Sequence, residues 1–147
     1  QLYKRIYYSG NYNKYYGGHQ FRLGHYFRHF YHSISYINNS SLLKYPEKYE
    51  SAKLLRGQLS TFEQIIIFIN SISGFGRVWE LEQSNDPNNG IQVNDQLITK
   101  YNLIKNFSSD SLLNDIRVSD FYPLVSYELN FSKERKEQRD KLEKKYT

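Results

Sequence analysis

The sequence predicts an all-α fold, an irregular bundle of about four to six helices with a charged helix at its C-terminal end. Three observations predict it. Apolar residues recur at intervals of three and four over long stretches. Proline and capping residues stand where such stretches begin, and clusters of Asn, Ser and Gly stand where they end. Helices packed on one another are the architecture that this pattern favours.

The first predicted helix starts at His19 and ends at Asn38, Asn39 and Ser40. One face of it is apolar, with intervals of four, three, four and three residues, and consists of Leu23, Phe27, Phe30, Ile34 and Ile37. Such a stripe is typical of a helix that packs on a core. The preceding segment, residues 1–18, is rich in tyrosine and glycine, and we expect it to be irregular apart from one short strand or helix around residues 2–8.

Pro46 predicts the start of a second helix that runs to about Gln58. Ser60 and Glu63 form a capping-box pattern, which predicts a third helix over about residues 61–72. The run Ile65 to Ile69 has no polar face, so we expect this third helix to lie at the centre of the core.

The second half of the chain gives weaker signals. We expect a short helix over residues 78–83, a loop over 85–90, and a helix capped by Asn94 or Asp95 with an apolar face that includes Leu97 and Ile104. A turn of helix is predicted over residues 112–116. The helix from Ser132 onward has almost no apolar face, so we expect it to extend into solvent, pack on a partner or fray. The predicted regions are thus 1–18, 19–131 and 132–147.

Charge is distributed unevenly along the chain. Residues 1–59 carry nine Lys or Arg and two Glu, a net charge of +7, whereas residues 60–131 have a net charge of −5. Eleven of the fifteen tyrosines and all four histidines also lie in residues 1–59. Positive charge beside flat aromatic rings suits a phosphate backbone with stackable bases, although an internal docking surface for the acidic half would have the same pattern.

A line of basic and histidine side chains on the first helix is the candidate site. Arg22, His25, His29, His32 and Tyr36 are spaced by three, four, three and four residues, roughly opposite the apolar stripe, and Arg28 lies beside them. We expect this face to bind RNA or another anion, with Arg56 as the best candidate to join it from elsewhere in the chain. Histidine can also transfer a proton near neutral pH.

Three other interpretations of this line remain open. The spacing of His25, His29 and His32 would suit metal ligands, but the helix has no carboxylate, so we expect no metal and no cofactor. Arg22 followed by His29 is similar to the loose end of the Arg–His pattern of helical HEPN ribonucleases. That similarity makes the pair a candidate catalytic site of a metal-independent ribonuclease, needing a second helix or subunit. The face would otherwise be a solvated helix surface.

Three segments carry a family resemblance: residues 23–32, residues 52–60 with Glu63 and Asn70, and residues 97–106 followed by Tyr122, Pro123 and Glu128. In order and spacing they resemble the three motifs of the phage abortive infection (AbiC-like) family, over about residues 20–130. The resemblance implies a bacterial defence protein that stops phage propagation. It implies no catalytic mechanism, so a non-catalytic interaction or sensor module remains an alternative.

The resemblance and the composition set further expectations. The chain contains no Met, so we expect it to be a piece of a longer protein. Members of the family commonly carry transmembrane helices ahead of this region, so we expect a membrane to be reached only through segments outside this chain. Without Cys, the chain fits a cytoplasmic location, on the cytosolic side of the membrane in the full-length protein. The expected partners are RNA, a phage or host protein, or a second copy of the chain.

Overall fold

The computed structural model describes residues 18–73, 76–83, 91–93, 95–106, 111–113, 116–128 and 132–147. Helix dominates these residues, and the predicted all-α class is confirmed. The described α-helices are α1 (Gly18–Asn39), α2 (Tyr45–Arg56), α3 (Thr61–Ser71), α4 (Leu97–Tyr101), α5 (Val118–Phe121) and α6 (Lys133–Glu143). The tyrosine-rich segment 1–17 and the predicted loop 85–90 lie outside the described residues.

Two small antiparallel hairpins accompany the helices. Strand β1 (Leu81–Gln83) pairs with β2 (Ile91–Val93), and β3 (Ser111–Leu113) pairs with β4 (Ile116–Arg117). The helix predicted over residues 78–83 is therefore wrong: a 3₁₀ turn, Arg77–Trp79, leads directly into β1. The helical turn predicted over residues 112–116 is also wrong. Strands of two or three residues are too short for the alternation that identifies a strand in a sequence.

The chain divides into two compact units, Gln1–Tyr36 and Ile37–Thr147. In the first unit, Phe30 and Ile34 of α1 are buried, as the apolar stripe predicts. The second unit has its own core, which draws on α2, α3, the 3₁₀ turn, α4 with the residues after it, and α5 with the segment after it. Its buried apolar side chains are Ala52, Ile67, Phe68, Trp79, Leu97, Ile98, Tyr101, Leu103, Ile104, Val118, Tyr122, Val125 and Tyr127.

Helices α2 and α3 begin where their start signals predict. Pro46 lies in the first turn of α2. The capping box of α3 is confirmed, because the Glu63 backbone N donates to Ser60 Oγ at 3.3 Å and the Ser60 backbone N donates to Glu63 Oε2 at 2.8 Å. These contacts satisfy backbone N–H groups that have no partner within the helix itself.

Helix α3 is buried on one side rather than on all sides. Its inward face carries Gln64, Ile67, Phe68 and Ser71. The opposite face includes Phe62, which is 78% exposed, and Ile69, which is 48% exposed. The prediction that this helix lies at the centre of the core is therefore wrong. The apolar residues that do not pack on the core face outward.

Helix α4 is surrounded by the core of the second unit, although it is only five residues long. A helix leaves its first four N–H and last four C=O groups without internal partners, so a helix of this length consists almost entirely of such groups. Of the two predicted caps, Asp95 is wrong and Asn94 cannot be compared with the structure. Asn94 lies outside the described residues, and the Asp95 carboxylate accepts from Asn38 Nδ2 at 2.7 Å.

Glu80 caps the N-terminal end of α4 instead. Its Oε1 atom accepts from the Thr99 backbone N at 2.6 Å, and its Oε2 atom accepts from Thr99 Oγ1 at 3.2 Å. A carboxylate is favoured at this end of a helix by the macrodipole as well as by the hydrogen bonds. Glu80 therefore replaces the local N-cap that Gln96, in a left-handed conformation, does not supply.

Two buried arginines occupy the C-terminal end of α4. Arg56 Nη1 donates to the carbonyls of Tyr101 and Asn102, both at 3.1 Å. Arg139 donates to the carbonyl of Thr99 and, at 3.0 Å, to that of Lys100. Guanidinium groups suit this position, since each offers several N–H donors and a positive charge to the negative end of the helix.

Helix α6, the charged tail, is attached to the second unit by Arg139. That side chain is 2% exposed, donates also to the Leu124 carbonyl at 3.3 Å and forms an ion pair with Glu143 at 2.7 Å. The expectation that the tail extends into solvent, packs on a partner or frays is therefore wrong. The contacts that hold α6 are polar, so they could not be predicted from an apolar face in the sequence.

Replacing Arg139 with methionine should lower the free energy of unfolding by about 3 kcal/mol or more. The variant keeps most of the side-chain volume but removes a charged donor from the carbonyls of Thr99, Lys100 and Leu124 and the ion-pair partner of Glu143. The matched control is Arg135→Met on the same helix, which should change stability by no more than about 0.5 kcal/mol. Chemical denaturation measures both, and equal losses in the two variants would contradict this role for Arg139.

Candidate nucleic-acid interface

The exposed face of α1 carries the predicted line of basic and aromatic side chains. His25, Arg28, His29 and His32 are all exposed. Tyr36, one turn further on, is 82% exposed. We call these five side chains the α1 face. At 1.5 Å per residue, the line from His25 to Tyr36 is about 16 Å long.

Contacts within α1 orient two of the histidine rings. Arg28 Nη2 lies 3.2 Å from His25 Nδ1. The Tyr31 and His32 rings meet edge to face, with centroids 5.5 Å apart. The guanidinium and the imidazole on successive turns are thus close enough to contact one phosphate group together.

No carboxylate neutralises this helix from within. The sequence of α1 contains no Asp or Glu, and residues 1–36 as a whole carry five Lys or Arg and no acidic residue. An unbalanced positive charge of this kind attracts anions and raises their local concentration. The α1 face combines the charge of Arg28 with exposed histidine and tyrosine rings, and its binding of an anion remains a prediction.

The predicted catalytic pair is only partly described. His29 lies exposed on α1, and Arg22 lies two turns before it on the same helix, but the Arg22 side chain is outside the described part of the chain. Seven residues correspond to about 10 Å along the helix axis, which is long for two groups that act on one phosphate. The pairing of Arg22 with His29 remains a prediction.

Arg56 has a different environment from the other candidate residues. It is 7% exposed, and its Nη1 atom is hydrogen-bonded to the two carbonyls at the end of α4. This placement gives Arg56 a role in the fold and leaves little of its surface for an anion. We therefore leave Arg56 out of the α1 face.

Asn38, which the sequence suggested only as a helix stop, anchors the last turn of α1 within the second unit. Its Oδ1 atom accepts from Lys100 Nζ and from the Tyr101 hydroxyl, both at 2.8 Å. Its carbonyl accepts from Lys48 Nζ at 2.7 Å. Because its side-chain amide is buried and hydrogen-bonded, Asn38 fixes the end of the helix. From the sequence alone, asparagine at this position indicates only that the helix ends.

Glu80 is the described carboxyl group with the most perturbed titration. Burial raises its pKa to about 7, although hydrogen bonds from Thr99 and the charge of Arg139 oppose the change. A carboxyl group that titrates near neutral pH is a candidate for acid–base chemistry. Here the carboxylate already caps α4, and that structural role accounts for its position. Burial likewise raises the pKa of Tyr122 to about 12 and lowers that of Lys100.

No group of three or more His, Asp or Glu side chains among the described residues is arranged to hold a metal ion. None of the described helices combines the length and the apolar character needed to cross a membrane.

Comparison with known proteins gives one match. A family model described as putative phage abortive infection protein matches residues 18–83. Residues 18–83 are thus similar to the phage abortive infection family. No curated protein and no solved structure matches the chain. The match contains the first two motifs that carry the resemblance, whereas the third, residues 97–106, lies beyond it.

Within the abortive infection segment, most polar residues of the second motif have structural partners. Arg56 caps α4 and Glu63 caps α3. Asn70 Oδ1 accepts from Trp79 Nε1 at 3.3 Å. The first motif differs, because its histidines and Arg28 point outward on α1 and have no such role in the core. Four of the five side chains of the α1 face, all but Tyr36, therefore belong to the first motif and are exposed.

The Glu80→Gln variant should change the pH dependence of stability. The folded-state pKa of Glu80 is raised from 4.5 to about 7, so the folded chain holds the proton more tightly and loses stability as pH rises through this window. The full effect is about 3 kcal/mol. We expect the unfolding free energy of the wild type, relative to the variant, to fall by up to this amount between about pH 4.5 and pH 7.5. A difference that does not vary with pH would contradict the assignment.

Proposed function

We propose that this chain is a helical region of an anti-phage abortive infection protein that binds RNA on the α1 face. The observation that carries the proposal is the joint exposure of His25, Arg28, His29 and His32 on a helix without a carboxylate. The family to which residues 18–83 are similar supplies the biological setting. RNA is the anionic partner whose chemistry this surface suits best.

Phosphate recognition is the first reason for choosing RNA. Arginine binds phosphate oxygens through paired N–H donors, and a protonated imidazole adds donors of the same kind. Five Lys or Arg residues without an acidic counterpart in residues 1–36 make non-specific attraction to a polyanion favourable.

Exposed rings are the second reason. Tyr36 is 82% exposed, and the His25, His29 and His32 rings are exposed on the same helix. Unpaired bases of single-stranded RNA stack on such rings. An acidic protein would use the charges of this face but would leave its rings without a specific role. We therefore favour single-stranded RNA over a protein partner.

A metal-independent ribonuclease is the second candidate function, and the contact between Arg28 and His25 favours it. An imidazole can deprotonate a ribose 2′-hydroxyl, whose oxygen then bonds to the phosphorus and forms a 2′,3′-cyclic phosphate. The bond to the 5′-oxygen of the next nucleotide breaks, and that oxygen leaves as a hydroxyl with a proton from an imidazolium or from water. A guanidinium within reach of the same phosphate stabilises the charge that develops on it. The Arg28–His25 distance of 3.2 Å meets this requirement within one helix, unlike the spacing of Arg22 and His29.

The Arg28→Ala variant should bind single-stranded RNA about tenfold more weakly than the wild type at low salt, with a shallower dependence of affinity on salt. Tyr36→Ala should weaken binding by at least about fivefold through lost stacking. Arg77→Ala is the matched control, since it removes an exposed arginine outside α1, and it should change affinity by less than about twofold. Fluorescence anisotropy with a labelled RNA measures all four proteins.

The same samples distinguish binding from cleavage. RNA recovered intact after incubation with EDTA supports binding alone, whereas fragments that His25→Ala or His29→Ala abolishes support the ribonuclease. Undetectable binding by the wild type at low salt, or equal binding by the Arg28→Ala and Arg77→Ala variants, would contradict the proposed function. A sensor or interaction module that binds another protein would then be the better account.

Phage infection of bacteria that carry the full-length gene tests the biological role of the α1 face. We expect the wild-type gene to lower the efficiency of plating by about tenfold or more, and the Arg28→Ala gene to lose this protection at equal protein level. The Arg77→Ala gene should protect as the wild type does. Protection that survives Arg28→Ala combined with His29→Ala would show that the α1 face is not needed for defence.

A further inference from the structure

We propose that the outward face of α3 is a contact surface for a second copy of this chain. The proposal goes beyond RNA binding and rests on a different helix. It starts from the apolar residues on the side of α3 that the core of the second unit leaves uncovered. An apolar helix face turned to water favours association with another apolar surface.

The outward residues form one continuous stripe. Phe62 is 78% exposed, Ile69 is 48% exposed and Ile72, just after the helix, is 37% exposed, while Ile65 and Ile66 are partly exposed between them. At 3.6 residues per turn, these five positions fall within a sector of about 120°, opposite the buried face. We call them the α3 stripe.

The spacing of the α3 stripe suits a helix of the same kind as its partner. Phe62, Ile65, Ile69 and Ile72 follow one another at intervals of three, four and three residues, the pattern of helices that pack side by side. In an antiparallel pair related by a two-fold axis, the large Phe62 side chain of each copy would lie against the smaller Ile72 of the other. Such self-complementarity is what a two-fold interface requires.

Charge argues for a second copy over other occupants. Helix α3 contains no Lys or Arg, and its single charged residue, Glu63, is engaged with Ser60 at the helix start. An anionic membrane surface attracts helices flanked by basic residues, which α3 lacks. A charged protein partner would likewise find no counter-charge on the stripe, whereas two copies of an uncharged stripe meet without repulsion.

The area of the stripe sets the expected strength of the contact. With about 200 Å² for a fully exposed Phe, the α3 stripe presents roughly 350–400 Å² of apolar surface. A standard interface buries about 800 Å² per partner, so we expect a weak dimer, populated in the micromolar to millimolar range.

Sedimentation of the nucleic-acid-free chain over this concentration range tests the proposal. We expect a monomer–dimer equilibrium whose dissociation constant changes little with salt, because no charge lies in the stripe. Ile69→Lys should weaken association about tenfold or more, since it places like charges on both copies. Position 69 is half exposed, so the lysine should leave the fold intact, as circular dichroism and thermal unfolding can verify.

Leu54→Lys is the control, because Leu54 is 72% exposed on α2 and lies outside the stripe. An equimolar mixture of Ile69→Lys and Ile69→Glu chains should associate more tightly than either variant alone. The proposal is overturned if the wild-type chain stays monomeric at millimolar concentration, if Ile69→Lys does not weaken the dimer, or if Leu54→Lys weakens it equally. Binding to vesicles of anionic lipid without self-association would assign the stripe to a membrane and would also overturn it.

Discussion

The second unit of this protein depends on satisfying the backbone of one very short helix inside an apolar core. Helix α4 has five residues, and four of them are buried. Isolated helices of this length are unstable in water, so its geometry must come from tertiary contacts. Glu80 provides the acceptor at the N-terminal end, and Arg56 and Arg139 provide the donors at the C-terminal end. Helix α2, the 3₁₀ turn region and α6 are thereby tied to the same five residues.

This constraint also decides which charged residues are available for function. A sequence with many arginines and histidines offers several candidate anion sites, and Arg56 is one of them. Because Arg56 and Arg139 donate to buried carbonyls, their charges serve the fold. The side chains of the α1 face are exposed instead. Some charged residues stabilise the core and others face outward. We place the proposed function on α1 because its charged and histidine side chains face outward.

What the sequence could predict follows from the distance between interacting residues. The capping box of α3 joins residues three apart, and the stripe of α1 repeats every three or four residues, so both are visible locally. The contacts that cap α4 join residues that are separated by 19, 40 and 45 positions in the sequence, and no local pattern predicts such pairs. Arg139 is the clearest case, because it lies in a tail that is polar on every side. The exposed side of α3 could not be predicted either, because the run Ile65 to Ile69 is apolar around the helix and does not indicate which side packs on the core.

Hydrogen–deuterium exchange of the chain, alone and with single-stranded RNA, is the most direct test of this division of roles. The account predicts that the amides of residues 97–102 exchange slowly in the free chain, because both ends of α4 are capped in the core. It predicts that RNA slows exchange in α1, around residues 25–36, and leaves residues 97–102 unchanged. Added protection at residues 97–102 without any in α1 would contradict it, because the buried arginines and not the α1 face would then be the RNA site.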